Sequence, residues 1–282
     1  MGFHDGPTLQ YVHLPKTGGT SVQLAMVRWT YYSSRNTLLF KSDEASIKGS
    51  STICPPGAEA ASILIGHRGF GFCGEVERSP RGLVTFATFR RSASRIVSLV
   101  DYNVNRMNPR AMRLFGREPL ATLIKRYNST RDVVEEGEAL LRFAGSQQVR
   151  FMCGYECLGP NAAHNQTITL GFMMQRAMEN VDKLDMIGLT EELNECIRQV
   201  RFHLALQRPS FSEWPEANGA PGNKRRKSSV VLLMDDEAKA ILDEWARPDQ
   251  ELYEHAKARY LKKQAIARHC LKHKLVPPTP HP

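Results

Sequence analysis

The chain has 282 residues, long enough to bury a full α/β core as one domain. It carries 38 Lys and Arg against 29 Asp and Glu, a formal charge of +9 that suits polyanionic partners. No zinc-finger spacing and no basic strand interleaved with aromatics supports nucleic acid. The six cysteines fit no metal site: Cys153, Cys157 and then His164 lack a fourth ligand at sensible spacing.

Tyr11–Ser21 reads Tyr-Val-His-Leu-Pro-Lys-Thr-Gly-Gly-Thr-Ser: a short apolar strand, a lysine, a glycine-rich turn and the start of a helix. This order surrounds an anion with backbone N–H groups and a helix N-terminus, and Lys16 is a fixed charge beside them. The ligand class is phosphate or phosphate-like. A Walker A loop has its lysine after the glycines, as G-x-x-x-x-G-K-[ST]. Here Lys16 precedes Gly18 and Gly19 and no G-K-[ST] occurs, which disfavours an ordinary ATPase or GTPase. The dinucleotide fingerprint G-x-G-x-x-G is also missing from this turn. His13, inside the strand, reads as structural.

Ser62–Phe72 contains a second short apolar strand, ending in Gly66 and followed by His67. Ligands in α/β sheets sit just past strand C-termini, and a histidine there can accept a proton near neutral pH. Leu83–Phe89 is apolar, β-branched and aromatic, as a buried parallel strand requires. Ser92 is the expected N-cap of the next helix, where Ile96, Leu99, Val100 and Val104 recur at helical spacing. Arg90 then sits at the strand end and Ser98 on the helix, with Arg91 as an added charge that stands to share a bound anion.

Residues 106–131 are basic and helix-like, with Leu114, Phe115, Leu120, Leu123 and Ile124 as apolar positions; 133–143 reads as another helix. Thr190 is the expected cap of a helix opening after Gly-Leu-Thr-Glu. The stretch 209–229 is rich in Pro, Gly and Asn and reads as a surface loop carrying Lys224-Arg225-Arg226-Lys227. Residues 235–268 form one long or two consecutive helices, with the break expected at Pro248. The Pro-rich tail 277–282 reads as disordered.

Pro15–Ser21 after a strand resembles the 5′-phosphosulfate loop of the carbohydrate sulfotransferases, especially the heparan-sulfate and uronyl 2-O-sulfotransferases. Their donor is 3′-phosphoadenosine 5′-phosphosulfate (PAPS). Later segments match that family in order. Gly66-His67 resembles its Gly-His, and Arg90 followed eight residues later by Ser98 resembles its 3′-phosphate motif. Gln148-Val149-Arg150-Phe151-Met152-Cys153-Gly154 is similar to Gln-Thr-Arg-x-Leu-x-Gly. Asn180–Glu191 is similar to its late strand, and Asp249–Ala256 to its C-terminal helix. The match therefore covers nearly the whole chain. One departure is Arg91-Ser92, where the family has Asp-Pro.

The resemblance implies a P-loop-like three-layer α/β sandwich with a central, mostly parallel sheet flanked by helices. Residues 1–276 would be a single catalytic domain. The implied activity is sulfuryl transfer from PAPS to a hydroxyl of an anionic glycan, with His67 as base and no metal. Lys16, Thr17, Gly18, Gly19, Thr20 and Ser21 would hold the phosphosulfate, with Lys16 also stabilising the leaving charge. Arg90 and Ser98 would hold the 3′-phosphate. Arg225, Arg226 and Ser228 match a loop that closes over the same phosphate in the family.

Arg106, Arg110, Arg113 and Arg117 stand to meet acidic sugar or to form a solvated helix face. Golgi members carry an N-terminal anchor, and the first strand leaves no room for about 20 apolar residues ahead of it. The expectation is a catalytic fragment of the Golgi lumen or a soluble cytoplasmic variant. Sequons at Asn128 and Asn165 bear on the luminal case, as does a possible pairing of Cys54 with Cys73. Two other readings stay open: a P-loop kinase using ATP and Mg²⁺, and a non-catalytic polyanion-binding protein of the same fold.

Overall fold

The computed structural model describes residues 8–32, 39–42, 63–66, 69–71, 82–115, 118–129, 136–154, 157, 168–207 and 234–272. Five strands form one sheet: β1 (Thr8–Val12), β2 (Leu39–Ser42), β3 (Ile63–Gly66), β4 (Leu83–Phe89) and β5 (Met186–Leu189). Their order is β2-β3-β1-β4-β5, and every neighbouring pair is parallel. β1 is buried along its whole length, as a central parallel strand covered on both faces must be.

Ten α-helices lie among the described residues: α1 (Gly19–Tyr32), α2 (Ser92–Asn105), α3 (Pro109–Phe115), α4 (Leu120–Ser129), α5 (Glu136–Gly145), α6 (Gln147–Cys153), α7 (Leu170–Lys183), α8 (Leu193–Gln207), α9 (Asp236–Trp245) and α10 (Arg247–Lys272). Strand alternation divides the core into two sides. Leu9, Tyr11, Ile65 and Phe86 pack with Val22 and Met26 of α1 and with Cys196 and Val200 of α8. Val12, Leu64, Ala87 and Phe89 pack on the opposite side, with residues of α6, α7 and α10. The result is a three-layer α/β/α arrangement whose described sheet is wholly parallel. A third apolar cluster joins α2, α3, α4, α5 and α9 through Ile96, Ile124, Leu141, Leu242 and Trp245.

The connections place one crevice above all others. The chain leaves β1 for β2 on one side of the sheet and leaves β4 for β5 on the other. The carboxyl ends of β1 and β4, adjacent in register through Val12 and Ala87, therefore flank a topological switch point, where open α/β sheets bind ligands.

Three local expectations change. α2 is flanked by Arg91, and Ser92 is its first residue and fully buried; the Ser92 amide donates instead to Gln250 Oε1 at 3.1 Å. Pro248 does not end a helix. Ala246 separates α9 from α10, and Pro248 is the second residue of α10, where its missing N–H costs no intrahelical bond. The basic stretch 106–131 holds two short helices, α3 and α4, and the next helix runs over Glu136–Gly145. Among the described residues no helix is long and apolar enough to cross a membrane.

Candidate functional site at the carboxyl ends of β1 and β4

Beyond β1 the chain turns through Leu14–Gly18 into α1. Lys16 has φ 63° and Gly18 φ 84°, two left-handed residues in one turn. The turn is held by Thr17, which is fully buried. Its hydroxyl donates to the Leu14 carbonyl at 2.8 Å and lies 3.1 Å from Thr88 Oγ1, which in turn meets the Tyr11 hydroxyl at 2.7 Å. Thr190 closes the arrangement: its hydroxyl bonds both the Thr17 carbonyl (2.8 Å) and the Phe89 carbonyl (3.0 Å). It therefore ties the turn after β1 to the end of β4 instead of capping a helix, and a 3₁₀ turn over Thr190–Glu192 begins there.

The glycines are required by contact. A Cβ on Gly19 would lie 1.7 Å from His13 Nε2, because the buried imidazole packs beneath the turn and stacks on Tyr11. A Cβ on Gly18 would meet both Leu193 methyls at 3.1–3.2 Å, in a backbone conformation that already favours glycine. The Ser21 and Val22 amides donate to the Gly18 carbonyl. Gly19 and Thr20 thus carry first-turn donors of α1 with no intrahelical acceptor.

Arg90 leaves the end of β4 and reaches this turn. Its Nη1 donates to the Lys16 carbonyl at 3.2 Å and its Nε to Ser94 Oγ at 3.1 Å. Its backbone is gripped by the Gln148 side-chain amide. The Arg90 N–H donates to Oε1 (3.1 Å), and Nε2 donates to the Arg90 carbonyl (3.0 Å). Gln148 is fixed in turn by the start of α6. There Ser146 makes no side-chain cap bond, and Asp249 accepts the Gln148 and Val149 amides at 3.0 and 2.9 Å. Asp249 also pairs with Arg95 at 2.9 Å, both side chains at 0% exposure. Burial pushes the Asp249 carboxyl up to about 6 and lowers Arg95; their attraction opposes both shifts.

On α2, Ser94, Ser98 and Tyr102 follow one another at four-residue spacing and share a face. Ser94 meets Arg90, and Lys16 Nζ sits 3.8 Å from the centre of the Tyr102 ring, so half-buried Ser98 belongs to the row that borders the crevice. The Arg106 guanidinium lies 4.8 Å from the same ring. Burial, then the charges of Arg90 and Arg106, hold the Lys16 ammonium below its ordinary value, with Asp101 acting in the other direction. Three cations converge on one place, and an anion there would relieve their mutual repulsion.

The structure thus brings Lys16, Thr17, Gly18, Gly19, Arg90 and Ser98 to one crevice, with Thr20 and Ser21 in the first turn of α1. His67 follows Gly66, whose carbonyl accepts the His13 amide at 3.0 Å, but His67 lies outside the described residues. So do Arg117, Arg225, Arg226, Ser228, Cys54 and Cys73. Arg91 does not join the crevice cations; it bonds Tyr253 of α10. Arg110 and Arg113 both pair with Glu136 on an exposed face. Cys153 and Cys157 form a disulfide, a pairing the sequence reading did not anticipate. Sequence reasoning also passed over Tyr102, Gln148 as a clamp, and Gln250. Of these only Tyr102 had a local signal, its place one turn beyond Ser98. Comparison with protein-family models and with curated proteins returns no match.

Proposed function

We propose that this protein is a sulfotransferase that moves a sulfuryl group from PAPS to a carbohydrate hydroxyl, on a P-loop-like fold. The observation that carries the reading is the meeting of two anion-binding elements at the switch point: Arg90 Nη1 on the Lys16 carbonyl at 3.2 Å. PAPS has anionic groups at two separate positions of one nucleoside, and it supplies the sulfuryl group and a bisphosphate leaving group. The residues present fit it. A turn kept free of Cβ atoms at Gly18 and Gly19 opens onto a helix start, beside three clustered cations.

The amides of Thr17 to Thr20, the Ser21 side chain and the Lys16 ammonium serve the phosphosulfate end. Lys16 neutralises charge on the departing phosphate oxygen, an electrostatic role like that of cation clamps on phosphoryl groups. Arg90 and Ser98 serve the 3′-phosphate and so favour PAPS over ATP, with Arg225, Arg226 and Ser228 as further contacts to it. His67 takes the proton from the attacking hydroxyl. A charge of +9 suits an anionic polysaccharide as acceptor, and the Cys153–Cys157 disulfide suits an oxidising compartment such as the Golgi lumen.

The test is a labelled-PAPS assay over a panel of glycans and small alcohols, alongside calorimetry with adenosine 3′,5′-bisphosphate and with AMP. Transfer to a glycan and preference for the bisphosphate are expected. His67→Ala should abolish turnover and keep bisphosphate binding, whereas Arg90→Ala should raise the donor KM. Mg²⁺-stimulated ADP formation from ATP would establish the kinase reading instead. Bisphosphate binding without transfer to any acceptor would leave a binding protein.

A further inference from the structure

On the side of α6 away from Arg90 lies a cavity of about 450 Å³, bounded by α5, α6, the start of α7 and the α9–α10 junction. Gln148 and Arg150 are two residues apart, so they leave α6 in nearly opposite directions: one grips Arg90 and the other lines the cavity. Arg142, Arg150 and Arg247 all line it, against a single lining carboxylate, Glu244.

Two of these arginines lie against aromatic rings. Arg142 lies over the Trp245 ring at 4.8 Å and Arg150 over Phe143 at 4.9 Å. Arg142 Nε is taken by Glu138 and Arg150 Nε by Ser146 Oγ. Among the described residues no carboxylate lies within 4 Å of Arg150 or Arg247. The Asp249 charge nearest Arg150 is committed to Arg95 and the α6 amides. Arg247 is moreover the first residue of a 26-residue helix, where a cation adds to the positive end of the helix dipole. Leu170 brings the start of α7 to the same cavity. The charge of Arg150 and Arg247, with no carboxylate within 4 Å among the described residues, is unfavourable alone and favourable around an anion.

Apolar surface adjoins the charges: Leu170 and Met173 line the cavity, and exposed Phe172 follows on α7. Forked donors beside an apolar wall fit a ring with anionic substituents on one edge and C–H groups on its face. We propose that this cavity is a second anion site that binds a carboxylated or sulfated saccharide unit, apart from the Lys16–Arg90 crevice. The saccharide assignment rests on the proposed function; the anion site does not.

The experiment is calorimetry on the full chain without PAPS, using a heparin-derived hexasaccharide, its unsulfated carboxylated counterpart, neutral maltohexaose and hexaglutamate. Arg150→Ala/Arg247→Ala should weaken hexasaccharide binding about tenfold or more. Arg198→Ala/Lys257→Ala removes the same charge from residues paired within their own helices and should cost less than about twofold. Leu170→Glu should weaken binding as the cavity pair does. Leu170 is 47% exposed, and a carboxylate at a helix start supports the fold, so misfolding would not explain the loss. Equal losses in the two double variants, or unchanged binding in Leu170→Glu, overturn the site. Tighter hexaglutamate binding overturns the saccharide assignment. Bisphosphate binding and sulfuryl transfer are read separately: a protein that transfers nothing but keeps the cavity-dependent affinity loses the enzymatic reading and keeps this one.

Discussion

The turn after β1 and the turn after β4 meet at one crevice, yet they are held by different parts of the fold. The β1 turn is held by its own residues, through the buried Thr17 hydroxyl on Leu14 and the fit of Gly19 to His13, and by the strand ends beside it in the sheet, through Thr88 of β4 and Thr190 and Leu193 after β5. The β4 turn is held from without: Gln148 and Gln250, 58 and 158 residues away, bond the backbones of Arg90 and Ser92. The Lys16 side therefore depends on fit among the strand ends of the sheet, and the Arg90 side depends on how the helices α6 and α10 dock. Variants can be chosen that strike one and spare the other.

The largest effect is expected at Asp249. Asp249→Ala leaves Arg95 charged and buried and uncaps α6, at a cost of about 3–5 kcal/mol. Urea melts should show it, and a wild-type melt would remove the outside scaffold from the comparison. A pH signature accompanies it. Burial raises the folded-state value to about 6 from an ordinary 3.8, so the folded protein holds this proton more tightly than the unfolded chain. The Asp249 contribution to stability is greatest below about pH 4, declines as pH rises through about 6, and is level above that. Asp249→Asn should flatten this segment of the stability profile.

Gly19→Ala strikes the other side. Its new methyl meets the His13 ring, which is buried against Tyr11 and has little room to yield, so about 1–3 kcal/mol is expected. Bisphosphate binding should fall with it. His13→Ala in the same chain makes room and should recover part of the loss. No recovery would mean that the ring is not what excludes a side chain at Gly19.

This contrast also explains what the sequence could show. Lys16, Thr17, Gly18 and Gly19 are contiguous, so strand, turn and helix start were readable together, and β4 runs over Leu83–Phe89 as its composition indicated. Arg90 and Ser98 were readable because one short strand-to-helix segment carries both, Arg90 at the end of β4 and Ser98 on α2. The Gln148 clamp was not, since its reason lies 58 residues from Arg90. Ser92 failed as a cap because the helix begins one residue earlier: Arg91 holds the cap position, and the amide of Ser92, now the first helical residue, is bonded by Gln250 from another helix. Thr190 has a cap's chemistry, but its hydroxyl is drawn to the Thr17 carbonyl in the β1 turn and the Phe89 carbonyl at the end of β4. Local signals fail where contacts from distant parts of the chain decide how a segment is held.

Gln148→Ala tests whether the outside clamp positions Arg90 or only packs. It removes both amide bonds to the Arg90 backbone and leaves the Asp249 bonds to the α6 amides in place. The bisphosphate Kd should rise about tenfold, equivalent to about 1.4 kcal/mol, with kcat at saturating donor nearly unchanged. Gln250→Ala, which frees the Ser92 amide and an exposed bond to Glu254 but leaves the Arg90 backbone held, should do less. If both variants raise Kd equally, general loosening of α10 is the cause and the clamp has no special part.

Lys16 should give the smallest change in stability and the sharpest division between fold and function. A non-glycine residue at φ 63° carries about 1 kcal/mol of backbone strain. Lys16→Gly should therefore melt at or slightly above wild type while losing bisphosphate affinity; Lys16→Ala keeps the strain and loses the affinity too. The charge adds a pH test. Burial first, then Arg90 and Arg106, lower the ammonium pKa in the free protein, and a bound anion favours the protonated form. Affinity should then be full at lower pH and decline as pH rises through that lowered pKa, below the ordinary lysine range. Lys16→Arg, charged throughout, should bind with little such decline. A decline of the same size in that variant would move the titrating group elsewhere, leaving the β1 turn as a shaped backbone and the β4 turn as the source of charge.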